Sequence, residues 1–185
     1  MLFWVCSGLA VLLWSLRFGP ERGGRAAPAA ITLLFYPGVL LLHFAWLREL
    51  FGWEVVFYLF ALLWIGDTAA YAGGRMMGRT KLAPIISPNK TWEGALWALV
   101  FCLATAWATS ILWTSTPHGK VWMLATAVAV WMFGTLGDLF ESLLKRSVGV
   151  KDSSRILSDH GGVLDRFDSL LFAAAPVFYL GLWWP

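Results

Sequence analysis

The stretch Trp53–Gly73, WEVVFYLFALLWIGDTAAYAG, is apolar, small or weakly polar throughout, apart from Glu54 at its start and Asp67 near its end. A hydrocarbon core about 30 Å thick takes roughly 20 helical residues to cross, so this run has the length of a membrane span. Lipid offers no partners to free backbone groups, and a single spanning segment of this kind has to be helical.

Moving outward from it, further runs of the same kind cover Met1 to Phe18, Pro28 to Leu47, about Ala95 to Trp113, Val121 to about Leu144, and Phe167 to Trp184. The whole chain is 59% hydrophobic and only 14% charged, against about a quarter charged for a soluble domain. The expected fold is therefore all-α. It is a polytopic membrane helix bundle of about six transmembrane helices, forming one membrane-embedded domain over residues 1–185. Met1 opens directly on an apolar run, without the basic leader and small-residue cleavage site of a signal peptide.

Apart from Arg48 and Lys120, every basic residue lies in the connections after the first, third and fifth runs. These connections share one face of a six-span bundle, and the positive-inside rule makes that face cytoplasmic. Trp4, Trp53, Trp92, Trp113, Trp183 and Trp184 sit near run ends, as expected of interfacial anchors. Cys6 and Cys102 lie inside apolar runs without metal-ligand or redox spacing.

The third, fifth and sixth runs turn acidic at the cytoplasmic end, through Asp67, through Asp138 with Glu141, and through Asp165 with Asp168. Ionisable groups at such positions are costly and tend to face a bundle interior or a watery cavity, which marks them as functional candidates. The competing reading makes each a helix-end cap or the partner of a nearby cation. Asp138, Glu141, Ser142 and Lys145 stand at i, i+3, i+4 and i+7, so one helical face carries all four. Asp165 and Asp168 are three apart and can point to a shared centre. Convergent carboxylates suit Mg²⁺, which binds through one or two of them together with substrate phosphates.

Around the acids lie Arg75, Lys90, Lys145, Arg146, Lys151, Arg155 and Arg166. Cations mixed with a metal ion suit a polyphosphate, because phosphoryl and nucleotidyl transfer are catalysed mainly by positioning and charge neutralisation. Topology alone also puts basic loops on this face. His160-Gly161-Gly162 could let backbone approach a phosphate closely. The run GGRMMGRT, Gly73–Thr80, is not a phosphate-binding loop, since it follows a membrane helix and carries Arg79 where Lys is required. Gly74 and Gly78 read instead as a tight turn or close helix packing. His43 and His118 have no evident ligand set, and no Ser-His-Asp, zinc or dinucleotide pattern is present.

The segment SLLKRSVGVKDSSRILSDHGGVLDRFDS, Ser142–Ser169, closely resembles the C-terminal signature of phosphatidate cytidylyltransferases. DTAAYAGGRMMGRTKLAPIISPNKTWEG, Asp67–Gly94, resembles an upstream motif of the same family. The likeness covers residues 53–185, the expected catalytic core, whereas residues 1–52 match only as two hydrophobic N-terminal helices. Ser158 departs from the pattern, standing where Pro or Gly is usual before the His, and members of the family are commonly longer by several N-terminal helices.

The resemblance implies that phosphatidate and CTP give CDP-diacylglycerol and pyrophosphate, with Mg²⁺ as cofactor. It implies a multi-pass protein of the bacterial inner membrane, with a polar cavity and active site facing the cytoplasm. Asp138, Asp165, Asp168 and Lys145 would be catalytic, and Asp67 would join the three Asp residues as metal ligand. Lys145, Arg146, Lys151 and Arg166 would hold the triphosphate and lipid phosphate, with His160, Gly161 and Gly162 shaping the pocket. Arg75, Ser87, Lys90, Thr91, Glu93, Glu141, Ser142 and Asp152 complete the expected substrate-binding set. CTP, phosphatidic acid and membrane lipid are the expected partners, nucleic acid is not, and a homodimer is compatible with the pattern. Two rivals differ in outcome: a CTP-using polyprenol or phytol kinase would release CDP, and a small transporter would carry its acids at mid-membrane depth.

Overall fold

The computed structural model describes residues 10, 13, 17, 19–113, 118–147, 149–150, 153–154, 162 and 164–184. The first expected span therefore lies almost wholly outside the described residues. The chain divides into two compact units, Met1–His43 and Phe44–Pro185. Helix α1 (Gly19–Phe51) takes in the second expected span and contains Pro28 and Pro37. Within the first unit, the His43 ring nitrogen Nδ1 lies 2.8 Å from the Val39 carbonyl, one turn back along its own helix.

In the second unit α2 (Trp53–Met77), α3 (Trp92–Leu112), α4 (Gly119–Ser147) and α5 (Leu164–Trp183) pack together, with α2 against α3 and α4 against α5 as the most extensive pairs. The core holds Leu59, Leu62, Trp122, Met123, Val130 and Val177, all nearly or fully buried. Tyr58 fixes α2 on α4 inside it by donating its hydroxyl to the Met123 carbonyl at 2.6 Å. The opposite faces are apolar as well: Phe57, Trp64, Val100, Trp107 and Val121 are exposed. An exposed apolar surface that extends over several helices is out of place in water and at home in lipid.

Among the described residues α2, α3 and α4 are long and apolar enough to cross a membrane. The sixth expected run forms α5, whose first turn carries Asp165, Arg166 and Asp168.

The all-α expectation needs one correction. Between α2 and α3 the chain makes an antiparallel hairpin of β1 (Lys81–Ala83) and β2 (Ser87–Thr91), with Lys81 opposite Thr91 and Ala83 opposite Ser87. Pro84 and Pro88 explain why this segment is not helix, since each lacks the donor that a helix interior requires. Strand pairing satisfies the remaining backbone groups instead.

The hairpin is closed at its base. The Trp92 N–H donates to the Thr80 carbonyl at 2.9 Å, and the Thr80 N–H donates to the Glu93 carboxylate at 3.1 and 3.2 Å. Thr91 caps α3 by accepting from the Gly94 N–H at 3.2 Å, which answers one of the orphan donors of the first turn. Here α2 and α3 approach closely. A Cβ on Gly94 would lie 2.6 Å from the Ala70 carbonyl oxygen, and one on Gly74 would lie 3.1 Å from Thr91 Oγ1. Close packing through small residues, expected at Gly74 and Gly78, accounts for this crossing. At the far end of α4, Gly149 takes a positive φ of 73° and its N–H bonds back to the Arg146 carbonyl, so the helix stops there.

Candidate active site

Where α2, α3, α4 and β2 converge they leave a cavity of about 290 Å³, touched by α5 at Ser169. Three charged side chains line it: Asp67 from α2, Lys90 from β2 and Asp138 from α4. Lys90 Nζ sits 2.5 Å from Asp138 Oδ2, and both side chains are only partly covered. Ser142, one turn on, lies at hydrogen-bond distance from Asp138 Oδ1, 3.4 Å. The two carboxylates are close enough for their charges to act on each other, and Lys90 acts on both. The cavity thus sets two acids against one ammonium, with room between the helices for a further charged group.

A second cluster lies further along α4. Lys145 Nζ is ion-paired with Glu141, one turn back on its own helix, and with Asp165 Oδ1 of α5 at 2.7 Å. Glu141 is 1% exposed, so this pair is buried on the acid side. Asp165 is surrounded by donors: the Ser153 N–H at 3.0 Å and hydroxyl at 2.8 Å, and the Gly162 N–H at 2.6 Å, all reach Oδ2. Its oxygens are therefore occupied in holding Ser153 and Gly162 against the start of α5.

Asp168 is buried, its Oδ1 accepts the Ser169 N–H at 2.6 Å, and it feels the charges of Asp138, Lys90 and Lys145. Its backbone carbonyl packs against Gly137, where a Cβ would come within 2.7 Å.

The four expected metal ligands thus fall into separate settings: Asp67 and Asp138 share the cavity, Asp165 is taken up by Lys145 and loop donors, and Asp168 feels both clusters. Among the described residues no three His, Cys, Asp or Glu side chains stand close enough to hold a metal ion by themselves. Two carboxylates on one cavity nevertheless fit the way Mg²⁺ binds beside substrate phosphates, where the phosphates and water complete the shell.

The other expected site residues have the following places. Arg75 is exposed and donates to the Tyr71 hydroxyl at 3.1 Å. Ser87 opens β2 and is half-buried, while Thr91 and Glu93 cap and brace the start of α3. Arg146 donates to the Val150 carbonyl at 3.2 Å, and Arg166 is exposed on the first turn of α5. Lys151, Asp152, His160 and Gly161 lie outside the described residues.

Asn89, Thr135 and Ser169 also line the cavity and were not singled out from the sequence. The signal was present for each. Asn89 adjoins Lys90, Thr135 stands one turn before Asp138, and Ser169 follows Asp168.

Comparison with known proteins adds to this geometry. The profile of the cytidylyltransferase family matches residues 2–184. A phosphatidate cytidylyltransferase of Brucella suis is 41% identical over 178 residues, covering 95% of this chain and 62% of that protein. A phosphatidate cytidylyltransferase of Staphylococcus aureus is 48% identical over 122 residues, covering 65% of this chain and 46% of that protein. The chain therefore spans less than two thirds of the length of these relatives.

Proposed function

The chain belongs to the cytidylyltransferase family, and from that premise we propose that it makes CDP-diacylglycerol and pyrophosphate from phosphatidate and CTP in phospholipid biosynthesis. The observation that carries this reading is the cavity in which Asp67, Asp138 and Lys90 meet. Both relatives bear the name of this activity.

In the reaction an oxygen of the lipid phosphate attacks the α-phosphorus of CTP, the bond from that phosphorus to the β-phosphate oxygen breaks, and pyrophosphate leaves. A phosphate monoester is already a nucleophile and needs little general base, so the protein's task is to align two anions and offset their charge. Lys90 supplies a cation at the cavity wall. Asp67 and Asp138 would hold Mg²⁺. The ion, when bound, neutralises charge on the phosphates as they approach. Arg146 and Arg166 lie at the same end of the helices and extend the positive surface toward the phosphates, and Lys145 would join them by exchanging its pairing with Glu141 and Asp165. Lys151, Asp152, His160 and Gly161, with Gly162, belong to the same reading through the family signature. Asp165 and Asp168 belong to the same reading as further ligands, and ligation by Asp165 would require exchange of the bonds it makes with Lys145, Ser153 and Gly162.

The reading includes a bacterial inner-membrane protein of about six spans, with the cavity on the cytoplasmic side. Membrane lipid is its surroundings and a homodimer is a compatible assembly. The concentration of Arg75, Lys81, Lys90, Lys145 and Arg146 at the cavity end supports that orientation, with Arg48 and Lys120 at the other end of the helices. In cells, a membrane-impermeant maleimide should modify Lys81→Cys only after it gains access to the cytoplasm. Labelling from the periplasmic side of intact cells would overturn the orientation.

The direct test incubates the purified chain with Mg²⁺, labelled CTP and phosphatidate. CDP-diacylglycerol and pyrophosphate are expected. Release of CDP with transfer of the γ-phosphoryl group would point to a lipid kinase, and absence of any CTP-dependent product would remove the reading.

A further inference from the structure

The cavity is not uniform along its length. Its polar mouth carries Asp67, Lys90 and Asp138, and behind it Leu62, Leu63, Ala98, Cys102 and Val130 form an apolar floor. At 1.5 Å per helical residue, Cys102 lies about 16 Å along α3 from the level of Thr91, and Val130 lies about 12 Å along α4 from Asp138. The floor is therefore deep inside the bundle. Its hydrogen-bonding side chains are already engaged: the Cys102 thiol donates to the Leu62 carbonyl at 3.4 Å, and the Trp131 indole N–H beside it donates to the Ala95 carbonyl at 2.7 Å. The backbone groups there are spent within helices.

A nucleobase placed on this floor would lose water from its ring nitrogen, carbonyl and amine and gain no partner among the described side chains, an arrangement that is strongly disfavoured. A hydrocarbon chain loses nothing there and gains from burial. We infer that the floor receives the first part of an acyl chain of the lipid substrate, that Leu63, Ala98, Cys102 and Val130 set acyl preference, and that the nucleobase is kept to the mouth. The inference rests on the phosphatidate reading above and divides the cavity between its two substrates.

Two variants of opposite sense test it. Ala98→Leu fills the floor and Leu63→Ala deepens it, and the purified proteins are assayed with dihexanoyl and dioleoyl phosphatidate. Ala98→Leu should lower the ratio of kcat/KM for dioleoyl over dihexanoyl substrate by about tenfold, the scale set by adding or removing a few methylenes in a pocket. Leu63→Ala should raise that ratio by about twofold or more, and KM for CTP should stay within about twofold in both. General damage to the fold would not move the two ratios in opposite directions. An unchanged ratio in both variants, or a large rise in KM for CTP with the ratio unchanged, overturns the inference. The second result would put the nucleobase on the floor.

A readout that needs no turnover separates this inference from the parent reading. A phosphatidate bearing a diazirine in its acyl chain, photolysed with the wild-type protein without CTP, should label Ala98, Cys102 or Val130. Adducts there from a protein that forms no CDP-lipid would keep the acyl floor and remove the transfer reaction. Adducts confined to the outward-facing Val100 and Phe101 would overturn the floor.

Discussion

Asp138→Asn is expected to lower CDP-diacylglycerol formation by on the order of 10²- to 10³-fold, the range seen when one electrostatic group is removed from a preorganised transfer site. An amide keeps the size of the side chain and removes its charge. It can no longer neutralise Lys90 at 2.5 Å, nor offer an anionic oxygen to a divalent ion beside Asp67. The side chain is 36% exposed and stands at the cavity wall, so the fold should tolerate the change. Turnover measured with labelled CTP, alongside the thermal unfolding midpoint in detergent, checks both halves. Near wild-type turnover from a folded variant would remove Asp138 from the chemistry, and a collapsed midpoint would make it structural instead.

Lys145→Met should have the largest effect on stability. It leaves Glu141, 1% exposed, with no counter-charge and deprives Asp165 of its ammonium partner. Removing one partner of a buried ion pair typically costs about 3–5 kcal/mol, because the remaining charge stays desolvated. Adding Glu141→Gln should return a substantial part of the loss, since a neutral amide is far cheaper to bury than a carboxylate. Denaturant unfolding in mild detergent would measure both. Equal stability of wild type and Lys145→Met would mean that the cluster is open to water and carries no such load.

The membrane character of the chain was legible from hydropathy alone, because span length and backbone satisfaction leave little choice in lipid. The runs that became α2, α3 and α4 were located to within a few residues at most of their ends. The hairpin was missed. Its strands are short and polar, and their pairing depends on the closure between Thr80, Trp92 and Glu93, which no local periodicity reveals.

In the candidate site, the sequence placed the acids at one end of the helices but could not say which would share a space. Helical spacing put Asp138, Glu141 and Lys145 on one stripe. The structure divides that stripe, with Asp138 turned to Lys90 and Glu141 and Lys145 turned to Asp165. That partition arises from contacts between α4, α5 and β2, which are distant in sequence. Thr91 and Glu93 illustrate a different limit. They stand in a segment that resembles a family motif, and in the fold their polar atoms cap and brace α3 while Thr91 also lines the cavity, a double duty that spacing alone does not reveal.

Because the hairpin is fastened at its root by main-chain and carboxylate bonds, Lys90 rides on a brace. A lysine on a slack loop would give up much of its freedom each time it met an anion, and that loss would be subtracted from whatever it gained. Carried on paired strands directly before a capped helix, this ammonium arrives already aimed, and the cost of ordering its backbone is met when the chain folds.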